Sequence, residues 1–247
     1  MPFTNVIGNG GLLTTVGDLL AWNENFDRPR VGGNELADRL QTRGRLNDGF
    51  ENEYAFVGSD GPRLYFQTDL EAPRRRLIAI DLRHPEREAW QEVIPQAEGT
   101  LESVSYVGRM FVATYLEHAA NRVRVFGRDG QPVRDLELGG IGSVDGFRGR
   151  SDDSETFFSF ASFTEPGVIY RYDVATGEKR EFFRPRVAFD AAAYEVEQVF
   201  YPSKDGTKVP MFLVHGKGLK RDGARPTLLY GYGGFNVSLT PYFSVAR

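Results

Sequence analysis

The chain of 247 residues contains no cysteine and only three histidines and three methionines. The lack of cysteine excludes disulfides, thiolate metal sites and a cysteine nucleophile, and it permits a cytoplasmic location. No apolar run approaches the roughly 20 residues that a membrane-spanning helix needs. The opening residues, Met1-Pro-Phe-Thr-Asn5, lack the basic and apolar parts of a secretion signal. We therefore expect a cytoplasmic protein with no membrane partner.

The chain also lacks a strong charge of either sign. Its net charge is −4, with 40% hydrophobic and 26% charged residues, which is typical of a globular protein with one large or two modest domains. A mildly acidic chain gives no reason to expect nucleic acid as a partner. The three histidines, His84, His118 and His215, show no metal-ligand spacing. We predict neither a metal nor a cofactor, and a structural or solvated role for each histidine.

The first segment, residues 1–50, has a helical pattern. Apolar residues recur near a 3.6-residue period between Leu12 and Phe26, and Pro29 follows as a stop. A second short helix is predicted from Asn34, as its N-cap, to Gly44. Two short helices bury little surface by themselves.

This segment resembles part of the serine β-lactamase-like hydrolases. The resemblance rests on Gly8-Asn-Gly-Gly-Leu-Leu-Thr-Thr-Val-Gly-Asp-Leu-Leu-Ala-Trp22 and on Val31-Gly-Gly33 with Leu46-Asn-Asp-Gly49. The Ser-x-x-Lys and Tyr-x-Asn motifs of that family are absent, so none of its catalysis is implied here.

The second segment, residues 51–188, carries a repeat of short aromatic and β-branched runs. Tyr65, Phe111 and Phe158 occupy equivalent positions and recur about every 46 residues, a spacing typical of β-propeller blades. Each repeat offers four strands, with Asp129-Gly130 and Thr176-Gly177 as turn residues. We predict three four-stranded blades of an incomplete propeller, since a closed ring needs at least about four. An irregular β-sandwich is the alternative.

The third segment, residues 189–247, predicts the start of an α/β domain. Val196–Tyr201 and Lys208–Val214 flank Ser203-Lys-Asp-Gly206, which indicates a hairpin. Pro226-Thr-Leu-Leu-Tyr-Gly231 then predicts a buried strand that opens into a glycine-rich loop. The predicted fold class is therefore mainly β, a partial propeller followed by the first strands of an α/β-hydrolase domain, with a short helical N-terminal segment.

From the second segment onward the chain resembles the prolyl oligopeptidase family of serine peptidases. The resemblance is carried by Phe200-Tyr-Pro-Ser-Lys-Asp-Gly-Thr-Lys208, Leu229-Tyr-Gly-Tyr-Gly-Gly-Phe-Asn236 and Ser162-Phe-Thr-Glu-Pro-Gly-Val-Ile-Tyr170. It implies a hydrolase domain capped by a propeller, which cleaves short proline-containing peptides after proline through a Ser/Asp/His triad. It also implies that Tyr232 donates to the oxyanion, that Phe235 lines the proline pocket, and that Gly231, Gly233 and Gly234 shape the loop. A preorganised donor stabilises the charge that develops in acyl transfer.

The nucleophile of such a hydrolase lies on a Gly-x-Ser-x-Gly turn, and that pentapeptide does not occur in the 247 residues. We therefore expect a fragment without catalytic Ser, Asp and His, inactive by itself. Two alternatives remain: a non-catalytic propeller fragment that binds peptides or proteins, and a fusion of two serine-hydrolase gene pieces joined between about Asn47 and Glu53.

Overall fold

A computed structural model describes residues 51–235 and 237–245. Within these ranges, three four-stranded antiparallel sheets form in chain order, each strand paired with the next. This is the blade arrangement that the repeat predicts, so the partial propeller is confirmed. The two helices predicted in residues 1–50 lie outside the described part of the chain.

Each sheet is named a blade. The first blade comprises β1 (Tyr54–Asp60), β2 (Arg63–Thr68), β3 (Arg76–Asp81) and β4 (Gln91–Ile94). The second blade comprises β5 (Thr100–Val107), β6 (Met110–Glu117), β7 (Ala120–Phe126) and β8 (Pro132–Leu136). The third blade comprises β9 (Ser143–Arg148), β10 (Glu155–Ala161), β11 (Val168–Asp173) and β12 (Lys179–Phe183). A short 3₁₀ helix, Arg87–Ala89, lies between β3 and β4.

The second blade is buried on both faces because its side chains alternate between two cores. On β6, Phe111, Ala113 and Tyr115 belong to the cluster between the first and second blades. Val112, between them in sequence, belongs to the cluster shared with the third blade. Successive side chains of a strand point to opposite faces, so one strand serves both interfaces.

The repeated aromatic residues form the centres of these cores. Tyr65 and Phe111 are fully buried, and Phe158 is 2% exposed. The rings of Tyr65 and Phe111 meet edge to face with centroids 4.8 Å apart, while Phe158 stacks on Phe147 at 4.7 Å. Aromatic pairs at these distances add to the free energy of simple burial. The aromatic residues that recur in the sequence are therefore the ones that pack in the cores between the blades.

Two buried amides also connect neighbouring blades. Gln67 on β2 donates to the carbonyl oxygen of Leu101 on β5 at 2.7 Å. Asn121 on β7 accepts from the backbone N–H of Val144 on β9 at 2.8 Å. The first strands of adjacent blades also contact one another, as strands do around a propeller axis.

A separate two-stranded hairpin follows the blades. After the 3₁₀ helix Ala191–Ala193, β13 (Tyr194–Pro202) pairs with β14 (Lys208–Gly216) over nine residues, which confirms the predicted hairpin. None of the helices in the described residues is long and apolar enough to cross a membrane.

The predicted buried strand at Pro226–Gly231 is wrong. These residues form no strand, and Leu228 and Leu229 are 80% and 82% exposed. A strand is stabilised by pairing with neighbours, and within the described residues the hairpin sheet ends at β13 and β14. The apolar run therefore lies exposed outside any strand, and the predicted start of a hydrolase domain at residues 189–247 stays a prediction.

Candidate functional site

The hairpin lies against the turns of the second and third blades. Gln198 on β13 donates its side-chain N–H to the carbonyl oxygen of His118 at 2.6 Å. The His118 ring meets Phe200 edge to face at 5.0 Å, and Phe163 of the third blade packs on Phe212 of β14 at 5.4 Å. These contacts position the hairpin that leads to the glycine-rich loop. They also give His118 a structural role, as the sequence predicts.

The glycine-rich loop, residues 229–235, carries every predicted site residue. Tyr232 is 50% exposed and Phe235 is 93% exposed. A Cβ added at Gly231 or Gly233 would meet no atom within 4 Å, and at Gly234 it would touch only the Tyr232 ring at 3.8 Å. The structure therefore places the phenol and the phenyl ring on one open segment with free space beside its backbone.

The segment that follows the loop is tied to the third blade. The hydroxyl of Ser143 on β9 donates to the carbonyl oxygen of Pro241 at 2.7 Å. Phe243 packs edge to face on Phe189 with centroids 5.3 Å apart. The first contact ties residues 237–245 to the third blade, and the second ties them to the segment between β12 and β13.

Chemically, this arrangement offers a hydrogen-bond donor and an apolar ring. The Tyr232 phenol can donate to a developing oxyanion, and Phe235 presents an apolar surface on which a pyrrolidine ring could pack. Two serines that follow a glycine, Ser59 and Ser143, lie on β1 and β9 of the blades, and the Ser143 hydroxyl bonds to a backbone carbonyl. The loop itself, residues 229–235, contains no serine or cysteine that could serve as a nucleophile.

The arginine cluster Arg74–Arg76 lies at the end of the loop between β2 and β3, with Arg76 as the first residue of β3. Arg74 donates to the carbonyl oxygen of Glu98 at 2.7 Å, Arg75 pairs with Glu53 at 2.7 Å, and Arg76 pairs with Glu92 at 3.1 Å. Each guanidinium of the cluster therefore already has an acceptor within the fold.

The hairpin carries a cluster of charged side chains that the sequence analysis does not predict. Glu195, Glu197 and His215 bring three possible metal-ligating atoms within 4.8 Å of one another. Hydrogen bonds from Arg221 and His215 lower the pKa of Glu197. The hydrogen bond to the Gly216 carbonyl is the largest cause that raises the pKa of the His215 imidazole, and the hydrogen bond to Glu197 is the next. Spacing along the chain could not reveal this group, because strand register brings it together.

The three blades define part of a β-propeller, to which the hairpin is attached. The family model for the prolyl oligopeptidase N-terminal beta-propeller domain matches residues 33–184. The chain therefore belongs to the prolyl oligopeptidase family.

Relatives of known sequence agree. The chain is 41% identical over 199 residues to the prolyl endopeptidase of Elizabethkingia meningoseptica, covering 81% of this chain and 28% of that protein. It is 31% identical over 230 residues to prolyl oligopeptidase A of Galerina marginata, covering 91% and 30%. The chain thus spans less than a third of the length of these relatives.

Solved structures show the same relation. A prolyl endopeptidase studied for the role of inter-domain dynamics in catalysis and specificity superposes with a TM-score of 0.74 at 43% identity, covering 80% of this chain and 29% of that one. Prolyl oligopeptidase B from Galerina marginata, bound to a 35mer hydrolysis and macrocyclization substrate, gives 0.72 at 31% identity, covering 80% and 28%.

Proposed function

We propose that the chain is three blades of the propeller and the first hairpin of a cytoplasmic serine peptidase that cleaves short peptides after proline. In this proposal Tyr232 donates to the oxyanion, Phe235 lines the proline pocket, and Gly231, Gly233 and Gly234 let the backbone approach the substrate. Ser, Asp and His of the catalytic triad come from sequence outside the 247 residues.

One observation carries the proposal: the Tyr-Gly-Tyr-Gly-Gly-Phe loop follows three blades of this family and the hairpin, and segments on either side of it are tied to the blades. The Ser143–Pro241 hydrogen bond and the Gln198–His118 hydrogen bond hold the segments on either side of the loop. Tyr232 and Phe235 remain exposed between them. An oxyanion donor and an apolar pocket wall both require side chains that are open to a substrate.

The test begins with the encoding DNA, which is sequenced on both sides of the 247 codons. The protein encoded by the whole open reading frame is then purified with and without Tyr232→Phe. Both forms are assayed on a fluorogenic peptide that carries proline before the scissile bond. We expect kcat to fall about 10²- to 10³-fold, the usual cost of removing one oxyanion donor. Tyr201→Phe, at an exposed tyrosine of the hairpin, is the control and should retain full activity. Equal loss in both variants, or loss in neither, would remove Tyr232 from the mechanism.

Phe235 is tested in the same protein by substrate choice. We expect Phe235→Ala to raise KM for the proline peptide more than for a matched alanine peptide, because the ring contacts the pyrrolidine. An unchanged ratio of the two KM values would count against a proline pocket at this position.

A second candidate function is peptide binding without turnover. It is favoured by the lack of a Gly-x-Ser-x-Gly turn in the chain. Equilibrium binding of a fluorescein-labelled proline peptide, with no product formed after long incubation, would support it.

A further inference from the structure

Strand register brings two carboxylates and an imidazole together on the hairpin. Glu195 on β13 is the direct partner of His215 on β14, and Glu197 lies two residues further along β13. Residues two apart on a strand share a face, so all three side chains are on one side of the sheet. Their possible ligand atoms lie within 4.8 Å of one another, and Glu197 Oε1 is 3.2 Å from His215 Nε2.

The tautomer of His215 is set by a backbone carbonyl. Its Nδ1 lies 3.0 Å from the oxygen of Gly216, and because a carbonyl oxygen can only accept, Nδ1 carries the hydrogen. When the ring is protonated, Nε2–H donates to the Glu197 carboxylate, and when it is neutral, Nε2 presents a lone pair there. A divalent ion bound between the two groups would take the place of the Nε2 proton. Histidines that bind metals commonly donate their other ring N–H to a backbone carbonyl in this way.

A cationic side chain already lies where the donor atoms converge. Arg221 Nη2 is 2.5 Å from Glu197 Oε1 and 3.4 Å from His215 Nε2. The Arg221 side chain is 62% exposed, whereas that of His215 is 15% exposed. Glu197 and His215 are therefore the half-buried part of the cluster, whereas Glu195 and the guanidinium are exposed, and the guanidinium can be displaced into solvent.

We propose that Glu195, Glu197 and His215 form a binding site for a divalent first-row transition ion, with zinc the best match. One imidazole nitrogen and two carboxylate oxygens are a usual donor set for zinc, whose fourth position can hold water. Magnesium and calcium prefer oxygen ligands alone, so neither should compete well. The site is separate from the glycine-rich loop and does not depend on the proposed peptidase function.

Isothermal titration with zinc chloride tests the site on the 247-residue chain after chelator treatment and dialysis. We expect one ion per chain, with affinity at least tenfold lower in His215→Ala and in Glu195→Gln. Glu195 is exposed, so the second variant should fold even if the first does not. His84→Ala, at an exposed histidine beside Glu86, is the control and should bind as the parent does. Visible absorption of the Co²⁺-substituted chain should show a tetrahedral spectrum that Glu195→Gln lacks.

Arg221→Gln separates a metal site from a charge-balanced cluster. If the guanidinium competes with the ion, zinc should bind this variant several-fold more tightly than the parent. The proposal is overturned if neither the parent nor Arg221→Gln binds zinc at millimolar concentration. It is also overturned if binding survives unchanged in both His215→Ala and Glu195→Gln.

Discussion

The Ser143 hydroxyl donates to the Pro241 carbonyl oxygen over 2.7 Å and so joins the first strand of the third blade to the segment that follows the glycine-rich loop. Pro241 is buried, so its carbonyl has few other donors within reach. This one bond connects residues that lie 98 positions apart in the chain.

Ser143→Ala should loosen that connection. We expect the free energy of unfolding to fall by about 1 kcal/mol, the usual net value of such a hydrogen bond. Trypsin should also cleave faster after Arg221 and Arg225, because the segment before Pro241 opens more often. Ser159→Ala is the matched control, since the Ser159 hydroxyl makes only a long 3.4 Å bond at an exposed position. Equal effects of the two substitutions would show that the Ser143–Pro241 hydrogen bond does not stabilise the attachment of this segment.

Phe158 and Phe157 test the period-two alternation of the third blade. Phe158 is 2% exposed within the core between blades, while its neighbour Phe157 is 39% exposed on the opposite face. Phe158→Ala should lower the free energy of unfolding by about 3–5 kcal/mol, as expected for a buried phenylalanine. Phe157→Ala should cost less than about 1 kcal/mol. Urea denaturation of both variants checks the difference, and a reversed order would contradict the described strand register.

Gly130 and Gly206 have nearly the same backbone conformation but different surroundings. Their φ angles are +79° and +85°. A Cβ at Gly130 would lie 1.9 Å from the carbonyl oxygen of Val93 on the neighbouring blade, while at Gly206 it would meet nothing within 4 Å. Gly206→Ala should therefore cost only the strain of a positive φ, about 1–2 kcal/mol. Gly130→Ala should cost clearly more, because backbone of the first blade must move. Similar thermal midpoints for both variants would argue against the close approach of the blades.

Tyr115 makes the free energy of unfolding depend on pH in the alkaline range. Burial raises the pKa of its phenol to about 12, whereas in the unfolded chain it loses its proton near pH 10. Between these values the unfolded state binds fewer protons than the folded state, so the free energy of unfolding should fall as the pH rises from about 10 to 12. Urea denaturation at several alkaline pH values should show a shallower fall for Tyr115→Phe. The same slope in the parent and the variant would contradict the burial of this phenol.

The blades could be predicted from the sequence because their determinants are local. Short aromatic and β-branched runs mark the strands, and the recurrence of Tyr65, Phe111 and Phe158 marks the repeat. The run at Leu228 and Leu229 could not be judged in the same way. Whether an apolar run becomes a buried strand depends on neighbours elsewhere in the chain, and the described residues provide none.

The cluster of Glu195, Glu197 and His215 could not be predicted from the sequence for a related reason. Glu195 and His215 face each other only because the Ser203–Thr207 turn sets the register, with the Ser203 N–H bonded to the Thr207 carbonyl at 2.8 Å. A shift of one residue would move His215 to the other face of the sheet. The roles of Tyr232 and Phe235 remain predictions from family resemblance, although the structure leaves both side chains exposed.

The most direct test of the central claim is the turnover of a fluorogenic proline peptide by the purified 247-residue chain. We predict no cleavage above background and no labelling by a serine-directed phosphonate, because an oxyanion donor and a pocket wall cannot replace a missing nucleophile. Cleavage after proline that the phosphonate abolishes would contradict the account, since it would require a catalytic serine within these residues.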